Sequence, residues 1–234
     1  MAPTKVTGII LNRFEFRETS VIVHLLTENC GKIAGLMKGV RSEKKKVAPL
    51  VYQQGSLIEA QVYLRWQPGL ELISQPNLLV HFPFKGEALF FWKKILELMD
   101  KLVPQGRQDT SDLFRLLVST SEAVPQTGNL NVLEAMFMVR ALSVLGFGPF
   151  LDRCLSCGST EHLRYFSGKL GGVVCANCRT KEPDAFFFPF KHLEILRFLR
   201  RLSLNQTSVV KYLPETVYRN FRRCFNGIIS YHIG

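Results

Sequence analysis

From Val6 to Asn12 the chain runs with a period of two, Val6, Gly8, Ile10 and Asn12 alternating with Thr7, Ile9 and Leu11, which predicts a strand. SVIVHLLT (20–27) and KIAGLMKGV (32–40) flank ENCG, whose Gly31 suits a short turn, so this pair predicts a hairpin. SLIEAQVYLRW (56–66) and LELISQPNLL (70–79) flank Gln67-Pro68-Gly69, a turn whose proline fixes φ and whose glycine admits a positive one. Five strands in so short a stretch predict a small closed or partly open barrel of the OB type.

Past residue 82 the period becomes helical. GEALFFWKKILELMDKL (86–102), TSDLFRLLVSTSEAV (110–124) and NLNVLEAMFMVRALSVLGF (129–147) place apolar residues three and four apart. Pro104 with Gly106 and Pro125 with Gly128 punctuate them, and Asp109-Thr110-Ser111 and Asn129 supply caps. FPFKHLEILRFLRRL (188–202) and PETVYRNFRRCFNGIISYHI (214–233) predict two more helices, with Pro214 at the first helical position of the second. There Val217, Phe221, Cys224, Phe225 and Ile228 share one face, and Arg219, Arg222 and Arg223 lie largely off it. The pattern predicts an α+β multidomain chain: an OB-fold barrel over 1–80, a helical bundle over 81–150, an inserted four-cysteine segment over 151–182, and C-terminal helices over 183–234 packing on the bundle.

Composition narrows the classes. At 234 residues, 47% hydrophobic and 21% charged, the chain is long enough to bury cores without staples and is not disordered in character. It shows no apolar run of membrane-spanning length, and MAPTKVTGIILNRFEF has no signal-peptide core, so a cytoplasmic protein with reduced cysteines is expected. The net charge of +11 is uneven: +4 over 1–80, zero over 81–150 and +7 over 151–234. Basic ends around a neutral middle attract polyanions, nucleic acid or anionic lipid, and charge alone does not choose between them.

The sharpest chemical signal is CLSCGSTEHLRYFSGKLGGVVCANC (154–178), two Cys-x-x-Cys pairs separated by 17 residues. Two such turns bring four thiolates to one tetrahedral ion, and Gly158 and Gly171-Gly172 suit the tight turns this needs. Cys154, Cys157, Cys175 and Cys178 are therefore the expected ligands, with zinc the expected metal. The spacing matches neither common ferredoxin pattern. Four thiolates fill the shell, whereas catalytic zinc keeps a position open, so the ion is structural and lowers the C-terminal charge from +7 to +5. His162 is surplus to that shell, and Cys30 and Cys224 read as plain thiols.

No phosphate loop, H-E-x-x-H or G-x-S-x-G motif occurs, histidines are scattered, and no acidic pair is placed for acid–base work, so the chain is not expected to be an enzyme. Cations interleave with aromatics instead. Arg13 and Arg17 sit with Phe14 and Phe16 at the end of the first strand, and Arg65 lies between Tyr63 and Trp66 at the end of the fourth. Lys38, Arg41, Lys44, Lys45 and Lys46 crowd the linker after the third strand. Rings stack on bases while cations meet phosphates, the requirement of a single nucleic-acid strand. The plainer reading makes the lysine run a solvated loop and turns Phe14 and Tyr63 into the barrel to fill it.

RETSVIVHLLTENCGKIAGLMKGVRSEKK (17–45) resembles the N-terminal signature of the bacterial RecO family of recombination mediators, and FMVRALSVLGFGPFLDRCLSCG (137–158) resembles its helical signature. The order of elements agrees along essentially the whole chain. The resemblance implies a non-enzymatic protein of DNA repair and homologous recombination. Such a protein binds single- and double-stranded DNA, anneals complementary strands, binds the C-terminal tail of single-strand-binding protein, and with RecR assists RecA loading. It implies a cytoplasmic, nucleoid-associated place of work and no membrane partner. Lys38 and Arg41 fall in the family's Lys-Gly-x-Arg segment as DNA contacts, and Arg140 falls at a basic position of the helical signature, assigned to the acidic tail. The linker after the third strand is too short for the helix an OB fold usually carries there, which leaves the strand order open. A zinc-ribbon transcription or RNA-binding regulator is the alternative; it requires cations gathered on the knuckle, while Arg153, Arg164, Lys169, Arg179 and Lys181 are dispersed in sequence.

Overall fold

The computed structural model describes residues 3–42, 47–64 and 69–233. The chain forms two compact units, residues 1–121 and 122–234. In the first, β1 (Thr4–Phe16), β2 (Ser20–Thr27), β3 (Lys32–Met37), β4 (Leu57–Tyr63) and β5 (Glu71–Val80) close a barrel in the order β1-β2-β3-β5-β4. The five expected strands are present, and the order left open is now fixed, with β3 and β5 paired in parallel. Alternation sends Val6, Ile10, Val23, Leu25, Ile58, Val62 and Ile73 inward to one core. Between β3 and β4 the described residues hold one short 3-10 helix, Pro49–Tyr52, whose Val51 and Tyr52 are buried.

Phe14 and Tyr63 do not fill the barrel, because both rings are exposed. The register explains Phe14. β4 pairs with β1 only over Thr4–Ile9, and a bulge follows between Ile10 and Asn12. Beyond it β1 continues with β2 as its single neighbour, so residues 13–15 are exposed.

α1 (Gly86–Leu102) has the bounds its period predicts and packs against β1. Its Asp100 gathers three barrel side chains. His24 Nδ1 lies 2.8 Å from one carboxylate oxygen, Asn12 donates to the other at 3.2 Å, and the Lys32 ammonium lies 3.3 Å from the first while also donating to the Asp100 carbonyl. The loop after α1 bridges Lys32 through Gly106, and Gly31, at φ +78°, has no room for a Cβ beside the Gly106 carbonyl. At the start of α2 (Ser111–Ala123) the Thr110 hydroxyl donates to the Thr27 carbonyl at 2.7 Å. These bonds tie α1 and the start of α2 to the barrel. The pattern places the first boundary at 80/81 and one bundle over 81–150; the two compact units divide at 121/122.

In the second unit α3 (Leu130–Val144) has no polar face, since every residue from Val132 to Val139 is buried. It is the central helix of this unit, and α4 (Phe190–Arg201) and α5 (Glu215–His232) pack on it. The Asn129 side chain caps α3 by accepting from the backbone of Asn131 and Val132. Pro214 stands one place before the first turn of α5, not within it. Three short strands, β6 (Leu163–Ser167), β7 (Gly172–Cys175) and β8 (Phe186–Phe187), form a sheet in the order β7-β6-β8. α5 crosses next to the β6–β7 turn where Gly227 meets Gly168, an approach closed to any side chain. Among the described residues no helix is long and apolar enough to cross a membrane.

Candidate metal centre and nucleic-acid interface

The four thiols are assembled by two turns hung on the small sheet. Gly158, at φ +79°, closes the first by donating to the Cys154 carbonyl at 2.8 Å, and Leu155 is held to β7 through Val173. Cys175 ends β7, and Cys178 lies in the 3-10 turn Ala176–Lys181. All four sulfurs lie within 4.8 Å of one another, and those of Cys157 and Cys175 are 3.8 Å apart. Cys157 is exposed and the other three are buried. The donor set is soft and closed, and could hold one metal ion. His162 is exposed and outside the cluster; its carbonyl accepts from Ala176.

Burial alone pushes the Cys154 thiol up, but backbone N–H groups of Cys175, Cys157 and Ser156 point at its sulfur and bring it down to about 7. The Cys178 thiol, hydrogen-bonded to Cys157 and shielded from water, rises to about 12. A metal takes thiolates only. At pH 7.5 Cys178 carries a proton that it must lose, so adding a divalent ion to the metal-free protein is expected to acidify an unbuffered solution. Affinity is expected to fall as pH drops anywhere below about 12, and more steeply below about 7, where Cys154 also takes up a proton. A pH-indicator titration reads both, and metal uptake without acidification would contradict the four-thiolate site.

The cations of the barrel gather at one end. Phe16 pairs with Ser20 across the β1–β2 turn and Val21 with Met37, so that turn and the end of β3 lie side by side. Arg17 heads the turn at φ +53°, its guanidinium 5.2 Å from the Phe16 ring centre. Arg41 is held there: its backbone donates to Thr19, and its guanidinium donates to the Arg17 carbonyl at 2.8 Å and meets Glu15 at 2.6 Å. Arg41 thus braces the turn from which Arg17 projects. Lys38 is exposed just beyond β3. Arg13 is exposed further along β1, 5.9 Å from the Tyr52 ring. Lys44, Lys45, Lys46 and Arg65 lie outside the described residues. Arg140, on α3, is half-buried and donates to the carbonyls of Met136 at 2.7 Å and Arg200 at 3.5 Å, and burial lowers the pKa of its guanidinium. The sequence reading missed the Asp100 cluster, whose partners are 68 to 88 residues away along the chain.

Barrel, helices and thiol cluster thus occur in the order the two signatures imply. The model of the recombination protein O N terminal matches residues 1–82, and that of the recombination protein O C terminal matches residues 84–234. The DNA repair protein RecO of Prosthecochloris aestuarii is 28% identical over 250 aligned positions, covering 98% of this chain and 91% of that protein. That of Halalkalibacterium halodurans is 26% identical over 217, covering 91% and 83%. That of Caldanaerobacter subterraneus is 29% identical over 208, covering 83% and 79%. The chain belongs to the recombination protein O (RecO) family.

Proposed function

We propose that this chain is a DNA repair protein of homologous recombination that works without catalysis. It binds single- and double-stranded DNA, anneals complementary strands, and with RecR and single-strand-binding protein assists RecA loading at the nucleoid. The observation that carries the reading is the cationic end of the barrel, where Arg17, Lys38 and Arg41 gather, in a chain of this family whose sequence runs on from there into Lys44, Lys45 and Lys46. Cations there neutralise phosphate and let two like-charged strands approach, and the exposed Phe14 and Tyr63 offer ring faces to unpaired bases. Annealing needs no fuel because the duplex is the more stable state. Zinc is the ion we assign to the thiols: a tetrahedron with Zn–S of about 2.3 Å has sulfur–sulfur edges of about 3.8 Å, the separation of Cys157 and Cys175. Bound zinc would cross-link the two turns and supply no reaction. Arg140 receives the acidic tail, whose carboxylate would replace the long bond to the Arg200 carbonyl.

The test is annealing of complementary single strands, naked and coated with single-strand-binding protein, with no nucleotide added. Acceleration of both is expected, and changing Lys44, Lys45 and Lys46 to Glu should slow both and flatten the salt dependence of strand binding. Sequence-selective binding without annealing would move the assignment to a zinc-ribbon regulator.

A further inference from the structure

α5 carries a second cationic surface in the second unit. Glu215 is its one acid, and Arg219, Arg222 and Arg223 follow at helical spacing. The three arginines line a shallow, open cleft of about 540 Å³ together with Asn226 and Gly227. Two of the side chains are set in place by aromatic rings. The Arg223 guanidinium lies 4.0 Å from the centre of the Phe186 ring, and that of Arg222 lies 5.9 Å from the Tyr218 ring. Tyr218 is itself fixed, its hydroxyl donating to the buried Glu134 at 2.9 Å. Neither Arg222 nor Arg223 has an ion-pair partner among the described residues, and Arg219 has only a loose one, 3.9 Å from Glu215. A guanidinium held over a ring keeps N–H groups for an acceptor, with less side-chain freedom to lose on binding.

From this we infer that the α5 cleft binds the phosphodiester backbone of a nucleic-acid strand, a contact surface in addition to that of the barrel. The inference rests on the reading of the chain as a DNA-handling protein. Successive phosphates ask for repeated, evenly spaced N–H donors and positive charge, which a helical row of arginines supplies. Asn226 at the rim adds an uncharged donor.

The test measures binding of a fluorescein-labelled oligothymidylate to the full-length protein by anisotropy across a salt series. Each phosphate contact contributes about 0.7 to the logarithmic salt slope for a single strand. Arg222→Gln with Arg223→Gln is expected to lower the slope by about 1.4, and Arg219→Gln alone by about 0.7. Replacing Arg222 and Arg223 by Lys, which keeps the charges, is expected to retain the slope. Arg219 is mostly solvent-exposed and its replacement spares the packing, so the single variant decides the matter should the double one unfold. Unchanged slopes in the glutamine variants, with the wild type binding normally, would overturn the inference and leave the proposed function standing. A wild type that binds no oligonucleotide at any salt would remove both. A labelled peptide of Asp and Glu residues runs in parallel. If the variants lose the peptide while keeping the oligonucleotide slope, the cleft takes an acidic protein segment and the inference fails.

Discussion

Cys175→Ser is expected to strip the metal from the chain and to lower the unfolding temperature of the unit 122–234 while leaving the barrel folded. The sulfur of Cys175 sits at the junction of β7 and the 3-10 turn that carries Cys178, and β7 holds Leu155 of the first knuckle through Val173. A structural zinc site contributes roughly 10–16 kcal/mol of binding free energy in small zinc peptides. Losing the ion forfeits that linkage, and even a minor share of it is enough to shift the transition of a small unit by many degrees. Metal content and a calorimetric scan check the result together. Full stability with selective loss of DNA binding would mean that the thiol cluster itself touches nucleic acid, the role of a zinc ribbon.

Asp100→Ala is expected to destabilise the first unit by about 3–5 kcal/mol, because removing one partner of a buried ion pair leaves the other without compensation. The Lys32 side chain is 10% exposed and that of Asp100 is 12% exposed, so water does little to replace the lost carboxylate. His24 and Asn12 lose the same acceptor. Urea unfolding followed by a barrel probe measures the change. A loss below 1 kcal/mol would show that α1 is held by its apolar face alone, through Trp92, Ile95 and Met99.

The elements were legible because their signals are local. The bounds of α1, the Asn129 cap, the five strands and the two cysteine turns each depend on residues within a few positions of one another. What stayed hidden depends on distant partners. The local pattern does not show that Glu15 and the Arg17 carbonyl, 24 residues or more upstream, engage the Arg41 guanidinium. Phe14 reads as barrel filling because period alone does not show where β4 stops pairing with β1. α3 reads as amphipathic from its spacing, yet a helix buried on every side from Val132 to Val139 belongs at a centre, and the neighbours seen within its unit come from residues 190–232. The sequence separates Arg219, Arg222 and Arg223 from the apolar stripe of α5 correctly; the rings that hold two of them lie on Phe186 of another strand and on Tyr218.

The Asp100 cluster also bears on where this chain can be divided. The two family segments meet between residues 82 and 84, a natural place to cut by homology. A fragment ending there would keep every strand of the barrel and lose the carboxylate that receives Asn12, His24 and Lys32, together with Gly106 and Thr110. Three polar side chains of the barrel wall would be orphaned, and the surface of β1 beneath α1 would face solvent. The family boundary and the division between the compact units are offset by nearly forty residues, and only the longer piece, which reaches into α2, keeps these contacts.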